Sequence, residues 1–167
     1  EGRPAMKATH WILVALLLAP NVAAAAQRGL ALRLGRPKVM AHGRITVPIE
    51  LVNARASEVA ALNFTLRYDP GLLAAEPSGI RAGRAVRGAR AELAGAVDPD
   101  SGIVRVLVVP EFSAQFGALR GRKVAMVTFQ VLGRMPDHPG RWLRRQLKLE
   151  RVVLGDRAGR ELPAVAR

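Results

Sequence analysis

At 167 residues without a single cysteine, the chain excludes disulfide cross-links and thiolate metal sites, so its stability must rest on packing and backbone ladders. Its 26 basic residues against 13 acidic ones give a formal charge of +13, which favours anionic neighbours in general. Arginine supplies 22 of the 26 and is scattered over turns and outward strand positions, while aromatics make up only 4% of the chain, so the interleaved basic and stacking residues of a nucleic-acid binder are missing.

The first segment reads as an export signal spanning residues 1–26. Lys7 and His10 precede an apolar run from Trp11 to Ala19, and Val22-Ala23-Ala24-Ala25-Ala26 offers the small residues that a signal peptidase requires. The run is too short for a stable membrane-spanning helix, which disfavours an uncleaved anchor. Glu1 to Ala5 add nothing a signal needs, so Met6 is a candidate start and Gln27 the expected first residue of the mature chain. Roughly 140 residues then remain, the size of one domain with a real core, and residues 27–167 are expected to form one. The chain is therefore expected outside the cytoplasm: extracellular, periplasmic or attached to the cell surface.

Beyond the signal, short strands follow one another with turn residues between them. Leu30 to Leu34, Arg44 to Val52 and Val59 to Tyr68 read as strands, followed by weaker ones at Gly79 to Arg81 and Ala89 to Val97. Ile103 to Val109, Lys123 to Leu132, Gln146 to Leu154 and Glu161 to Val165 complete nine. The third carries the strongest pattern: Leu62, Phe64, Leu66 and Tyr68 share one face, Asn63, Thr65 and Arg67 the other, and Asp69-Pro70-Gly71 stops the run. Pro48 inside the second strand predicts an edge position or a bulge, because proline has no N–H for a ladder. Asp98-Pro99-Asp100-Ser101-Gly102 and Gly155-Asp156-Arg157-Ala158-Gly159 read as turns, and Met135 to Gly140 as a loop. With almost no 3.6-residue periodicity, the expected class is an all-β antiparallel sandwich.

Candidate chemistry is sparse, and no catalytic set can be assembled. His42 and His138 each lie beside glycine or proline with no acidic or histidine cluster at ligand spacing, and neither a Gly-x-Ser-x-Gly elbow nor a phosphate-cradling glycine loop is present. Glu92 and Asp98 form a pair of acids that nothing places across a cleft. Asp98-x-Asp100-x-Gly102 matches the opening of a calcium loop but lacks the remaining ligands, so it reads as a plain turn and no metal is expected in this chain. Leu107 and Val109 extend an apolar run onto the outer face of their strand, which calls for either a covering loop or a protein partner. Phe112, Phe116 and Trp142 are the aromatics left for direct carbohydrate binding, should all three be exposed together.

The alternating strand ending in Tyr68-Asp69-Pro70 and Leu72-Leu73 resembles the cohesin family. So does its setting: Ile45 to Leu51 before it, Gly102 to Val106 after it, and Val124 to Val131 later, over roughly residues 30–165. The resemblance implies a nine-stranded jelly-roll sandwich and a noncatalytic receptor for dockerins, small calcium-loaded modules carried by secreted enzymes, with the calcium held by the partner and no cofactor here. It also implies a recognition face on the strands at 59–68, 89–97, 103–109 and 123–132. Asn63 falls where family members place an acidic recognition residue, with Thr65 and Arg67 beside it, and Ala61 where they often carry asparagine. Glu111 approximates another recognition position with a one-residue shift in spacing. The implied function is a secreted module docking a dockerin-type or other extracellular partner, within polysaccharide-degrading or cell-surface machinery. Direct carbohydrate binding and a role in envelope assembly, where the basic surface would meet anionic polymers, are the alternatives.

Overall fold

The alternation read in the sequence becomes two stacked sheets in a computed structural model that describes residues 30–52, 59–110 and 122–166. In chain order the strands are β1 (Leu30–Leu34), β2 (Lys38–Val39), β3 (Arg44–Val52), β4 (Ala61–Tyr68), β5 (Leu73–Ala82), β6 (Ala91–Asp98), β7 (Ile103–Pro110), β8 (Lys123–Val131), β9 (Leu147–Gly155), β10 (Glu161–Leu162) and β11 (Ala164–Ala166). Two short helices interrupt them, α1 (Arg84–Gly88) and α2 (Pro139–Gln146). The first sheet runs β11-β1-β3-β8-β5, with β2 paired to β3, and the second runs β10-β9-β4-β7-β6.

The inner faces of both sheets supply one core. Phe64 and Leu66 of the second sheet and Ile45, Ile49 and Phe129 of the first are all fully buried. Each such side chain contributes about 1.5–3 kcal/mol relative to exposure. Tyr68 closes one end, its ring edge-on to Phe129 with centroids 5.4 Å apart. Burial pushes its hydroxyl pKa up.

The all-β sandwich is as the sequence implies, with three differences of detail. There are eleven strands among the described residues rather than nine. β2 is a two-residue strand too short to leave a pattern, and the run expected over 161–165 is split at Pro163, whose missing N–H ends β10 in the second sheet and releases β11 into the first. One pair is parallel rather than antiparallel, because β11 crosses over to lie beside β1 with Leu30 opposite Ala164. Helices occupy residues 84–88, left between two expected strands, and 139–146, which starts in the expected loop and takes in Gln146, expected to open a strand: α1 buries only Ala85 and Val86, and α2 fully buries only Leu143, too few anchors for a visible helical period.

Pro48 is accommodated inside the sheet, not at its edge. β1 pairs with β3 as far as Ile49, and β2 resumes at Thr46, so Pro48 faces the gap between them. The Gly35 amide donates to the Pro48 carbonyl at 2.7 Å, on the side where the absent N–H would have pointed. Gly35 is required there, since a Cβ would stand 2.8 Å from Pro48 Cγ and 2.9 Å from Glu50 Cδ. The expected irregularity appears one residue on, as a register shift against β8 between Ile49 and Glu50.

Candidate functional site

β4 lies third in the second sheet, between β9 and β7, and projects Ala61, Asn63, Thr65 and Arg67 outward while Leu62, Phe64, Leu66 and Tyr68 enter the core. The ladders align these residues in rows across the sheet. Leu107 and Val153 flank Asn63, and Ala94 stands beyond Leu107. Arg105 and Glu150 flank Thr65, and Ile103 and Lys148 flank Arg67. The face thus has an apolar upper half around Asn63 and a charged lower half around Arg67.

A bulge in β9 completes the upper half. From Leu147 to Glu150 the strand alternates in and out, but the sequence slips phase at Arg151-Val152, and a regular strand would drive Arg151 into the core and expel Leu154. The chain resolves this by looping out one residue: Asn63 pairs with Val153 and Thr65 with Glu150, so three steps of β9 match two of β4. Arg151 takes φ +49°, the left-handed conformation such a bulge needs. Val153 then points outward at 41% exposure, across from Leu107 at 43%.

In the lower half, Glu150 holds two cations at once: Lys148 Nζ at 3.1 Å from Oε1 and Arg67 Nε at 3.4 Å from Oε2. Lys148 and then Arg67 keep the Glu150 carboxyl below its ordinary range. At the sheet's edge, the Asp98 carboxylate accepts from the Ser101 amide at 3.3 Å, and its hydrogen bonding to Ser101 lowers its pKa. Asp98 to Gly102 is thus the β6–β7 turn, with Gly102 at φ +62° packed against the Tyr68 carbonyl. Among the described residues no group of three or more metal-ligating side chains converges. His42 sits exposed in the β2–β3 turn at φ +58°, and His138 precedes α2 without a side-chain capping bond.

The family model of the cohesin domain matches residues 30–139. The chain belongs to the cohesin domain family. Its members are noncatalytic protein-binding modules, so the outer face of the second sheet is the natural place to look for a docking site. Among solved structures, the type I cohesin–dockerin complex Coh-OlpA–Doc918 from Clostridium thermocellum superposes with a TM-score of 0.65 at 19% identity, covering 83% of this chain and 94% of that one. The complex Coh-OlpC–Doc435 from the same organism gives 0.63 at 12% identity, covering 83% and 89%. A non-cellulosomal cohesin from Archaeoglobus fulgidus gives 0.57 at 16%, covering 83% and 86%. At these identities the likeness is one of fold. No curated protein sequence matches the chain.

Of the residues singled out in the sequence, this cohesin brings Asn63, Thr65 and Arg67 together on one face, with Leu107 beside Asn63. Glu111, Phe112 and Phe116 lie outside the described residues, as does the whole expected signal. Trp142, on α2, is half-buried and packs against the core. Two residues of the face escaped the sequence reading. Val153 points outward only because of the bulge, whose one sequence signal is the phase slip between Leu149 and Leu154, whereas Glu150 follows the regular alternation from Leu147.

Proposed function

We propose that this cohesin is an exported, noncatalytic receptor that docks a dockerin-type protein on the outer face of its second sheet, any calcium belonging to the partner. The observation that carries the reading is the row Leu107–Asn63–Val153: two exposed apolar side chains with an amide between them, bordered by the charges of Arg67, Lys148 and Glu150. Apolar anchors within a polar border are what a protein interface needs. Both of the Clostridium thermocellum neighbours are cohesin–dockerin complexes, which supports the partner class.

The four strands β9, β4, β7 and β6 present roughly 500 Å² from their spacing and rise. A standard interface takes about 800 Å² from each partner. Glu111, next in sequence to the end of β7, is the proposed further contact at the border of this face. Export rests on Lys7, the apolar run from Trp11 and the small residues before Gln27; N-terminal sequencing of the protein recovered from its producer should read from Gln27. No helix among the described residues is long and apolar enough to cross a membrane.

The test is capture from the producer's own envelope and secreted proteins, with calcium and with chelator, using the wild-type chain and Leu107→Asp. A charge in the apolar half should lower affinity for the captured partner at least about tenfold. Capture that ignores both calcium and Leu107→Asp would overturn the reading.

A further inference from the structure

The opposite side of the sandwich carries a feature that docking on the second sheet does not use. On the outer face of the first sheet a groove of about 860 Å³ crosses β3 and β8. One wall is the segment from Lys38 to His42. The other is a bulge in β5: Ala75 pairs with Phe129 and Ile80 with Val127, so five steps of β5 match two of β8 and residues 76–79 loop out beside the groove.

The middle of the floor is polar and neutral, with Met126 at one end and Met40 and Ala74 beside it. The Thr46 and Thr128 hydroxyls are 2.9 Å apart in one hydrogen bond, leaving each with further capacity toward the groove. Gln130 spends its Nε2 on the carbonyls of His42 and Val131, which leaves its Oε1 as an acceptor. Around this floor stand three exposed cations, Lys38, Arg44 and Arg81, none of which forms an ion pair among the described residues. Lys38 and Arg81 lie on opposite walls, three strand spacings or roughly 14 Å apart. Glu76 is the one acid in the lining, hydrogen-bonded by Ser78 at 3.2 Å.

We propose that this groove binds an acidic oligosaccharide of the uronate type, its carboxylates paired with Lys38, Arg44 and Arg81 and its hydroxyls bonded to Thr46, Thr128 and Gln130. Guanidinium and ammonium groups suit carboxylates, and a floor of hydroxyl and amide groups matches a chain that is mostly hydroxyl. The alternatives fit less well. A nucleic-acid strand would find no aromatic platform in the lining. A flat bilayer would touch the walls and leave the floor empty. A peptide in mid-sheet would gain no ladder hydrogen bonds, because the backbone of β3 and β8 is already paired on both sides. With Glu76 present, the surplus of positive charge is too small for a densely sulfated chain.

The proposal is independent of the docking reading, since the two faces lie on different sheets. The probe is hexagalacturonate, titrated calorimetrically into the full chain, with cellohexaose, a heparin hexasaccharide, oligothymidylate and phosphatidylglycerol vesicles as comparisons. Hexagalacturonate should bind and cellohexaose should not. The double variant Lys38→Ala/Arg81→Ala should weaken binding at least about tenfold, while Arg141→Ala/Arg157→Ala, which removes the same charge from exposed positions elsewhere, should leave it unchanged. Leu107→Asp should leave it unchanged as well, which separates failure of this site from failure of the docking face. Absence of hexagalacturonate binding, equal loss in the two double variants, or tighter groove-dependent binding of heparin, oligothymidylate or vesicles would overturn the proposal.

Discussion

The bulge at Arg151 determines what the docking face displays, and replacing that residue tests the reasoning behind it. Held at φ +49°, an arginine forgoes about 1–2 kcal/mol relative to the right-handed region. Glycine relieves this but gives back about 0.4–1 kcal/mol through the greater freedom of the unfolded chain. The side chain is exposed and ion-paired to nothing among the described residues, so little else is lost. Arg151→Gly should therefore stabilise the fold by about 0.5–1 kcal/mol. In urea the midpoint should rise with an unchanged slope, and the melting temperature should rise by about 2–4 °C. Arg105→Gly, on the same face but in the regular strand β7, serves as the control and should destabilise by up to about 1 kcal/mol. If both glycines destabilise alike, Arg151 is not held in the left-handed conformation, and the outward placement of Val153 loses its basis.

Three further outcomes follow from the packing and the charges. Gly35→Ala drives a methyl into Pro48 and Glu50, at 2.8 and 2.9 Å, and should cost about 1–3 kcal/mol in urea unfolding. Phe64→Ala empties a fully buried site in β4 and should cost about 3–5 kcal/mol, which approaches the whole stability of a small domain. The Glu150 carboxyl is held below its ordinary value of 4.5, so its contribution to stability is fully present above that value and is lost as the pH falls through the lower folded one. The difference in urea midpoint between wild type and Glu150→Gln should therefore be largest near neutral pH and vanish below the folded pKa. A difference that grows on acidification would refute the pairing with Lys148 and Arg67.

Strands whose alternation stays in phase were legible from sequence, because burial on one face imposes a strict period of two. β1 and β3 fall on the bounds read from the residues, and β4 starts only two residues later than expected. The features that escaped are those in which a few residues obey a neighbour instead of a period. β2 exists because β3 offers an unpaired stretch past Pro48, α1 because Ala85 and Val86 plug a gap beside β8, and β11 because Pro163 frees the chain to change sheets. The candidate face was half legible: 59–68, 89–97 and 103–109 share the second sheet as expected, but 123–132 forms β8 in the first sheet, and β9 stands beside β4 instead. Asn63, Thr65 and Arg67 follow from alternation alone, and Leu107 from an apolar residue on the wrong face. Val153 depends on a left-handed residue that no propensity of arginine foretells, whereas Glu150 follows the plain alternation from Leu147. The groove on the first sheet was not legible, since it arises from three extra residues in β5 and from cations on three different strands.

Chemical-shift mapping of the calcium-dependent partner onto the isotope-labelled chain tests the central claim most directly. The account predicts that the methyls of Leu107 and Val153 and the amides of Asn63, Thr65 and Arg67 shift on binding, while Thr46, Thr128 and Gln130 on the other sheet stay in place. A footprint on the first sheet, or one that spares the row through Asn63, would contradict it.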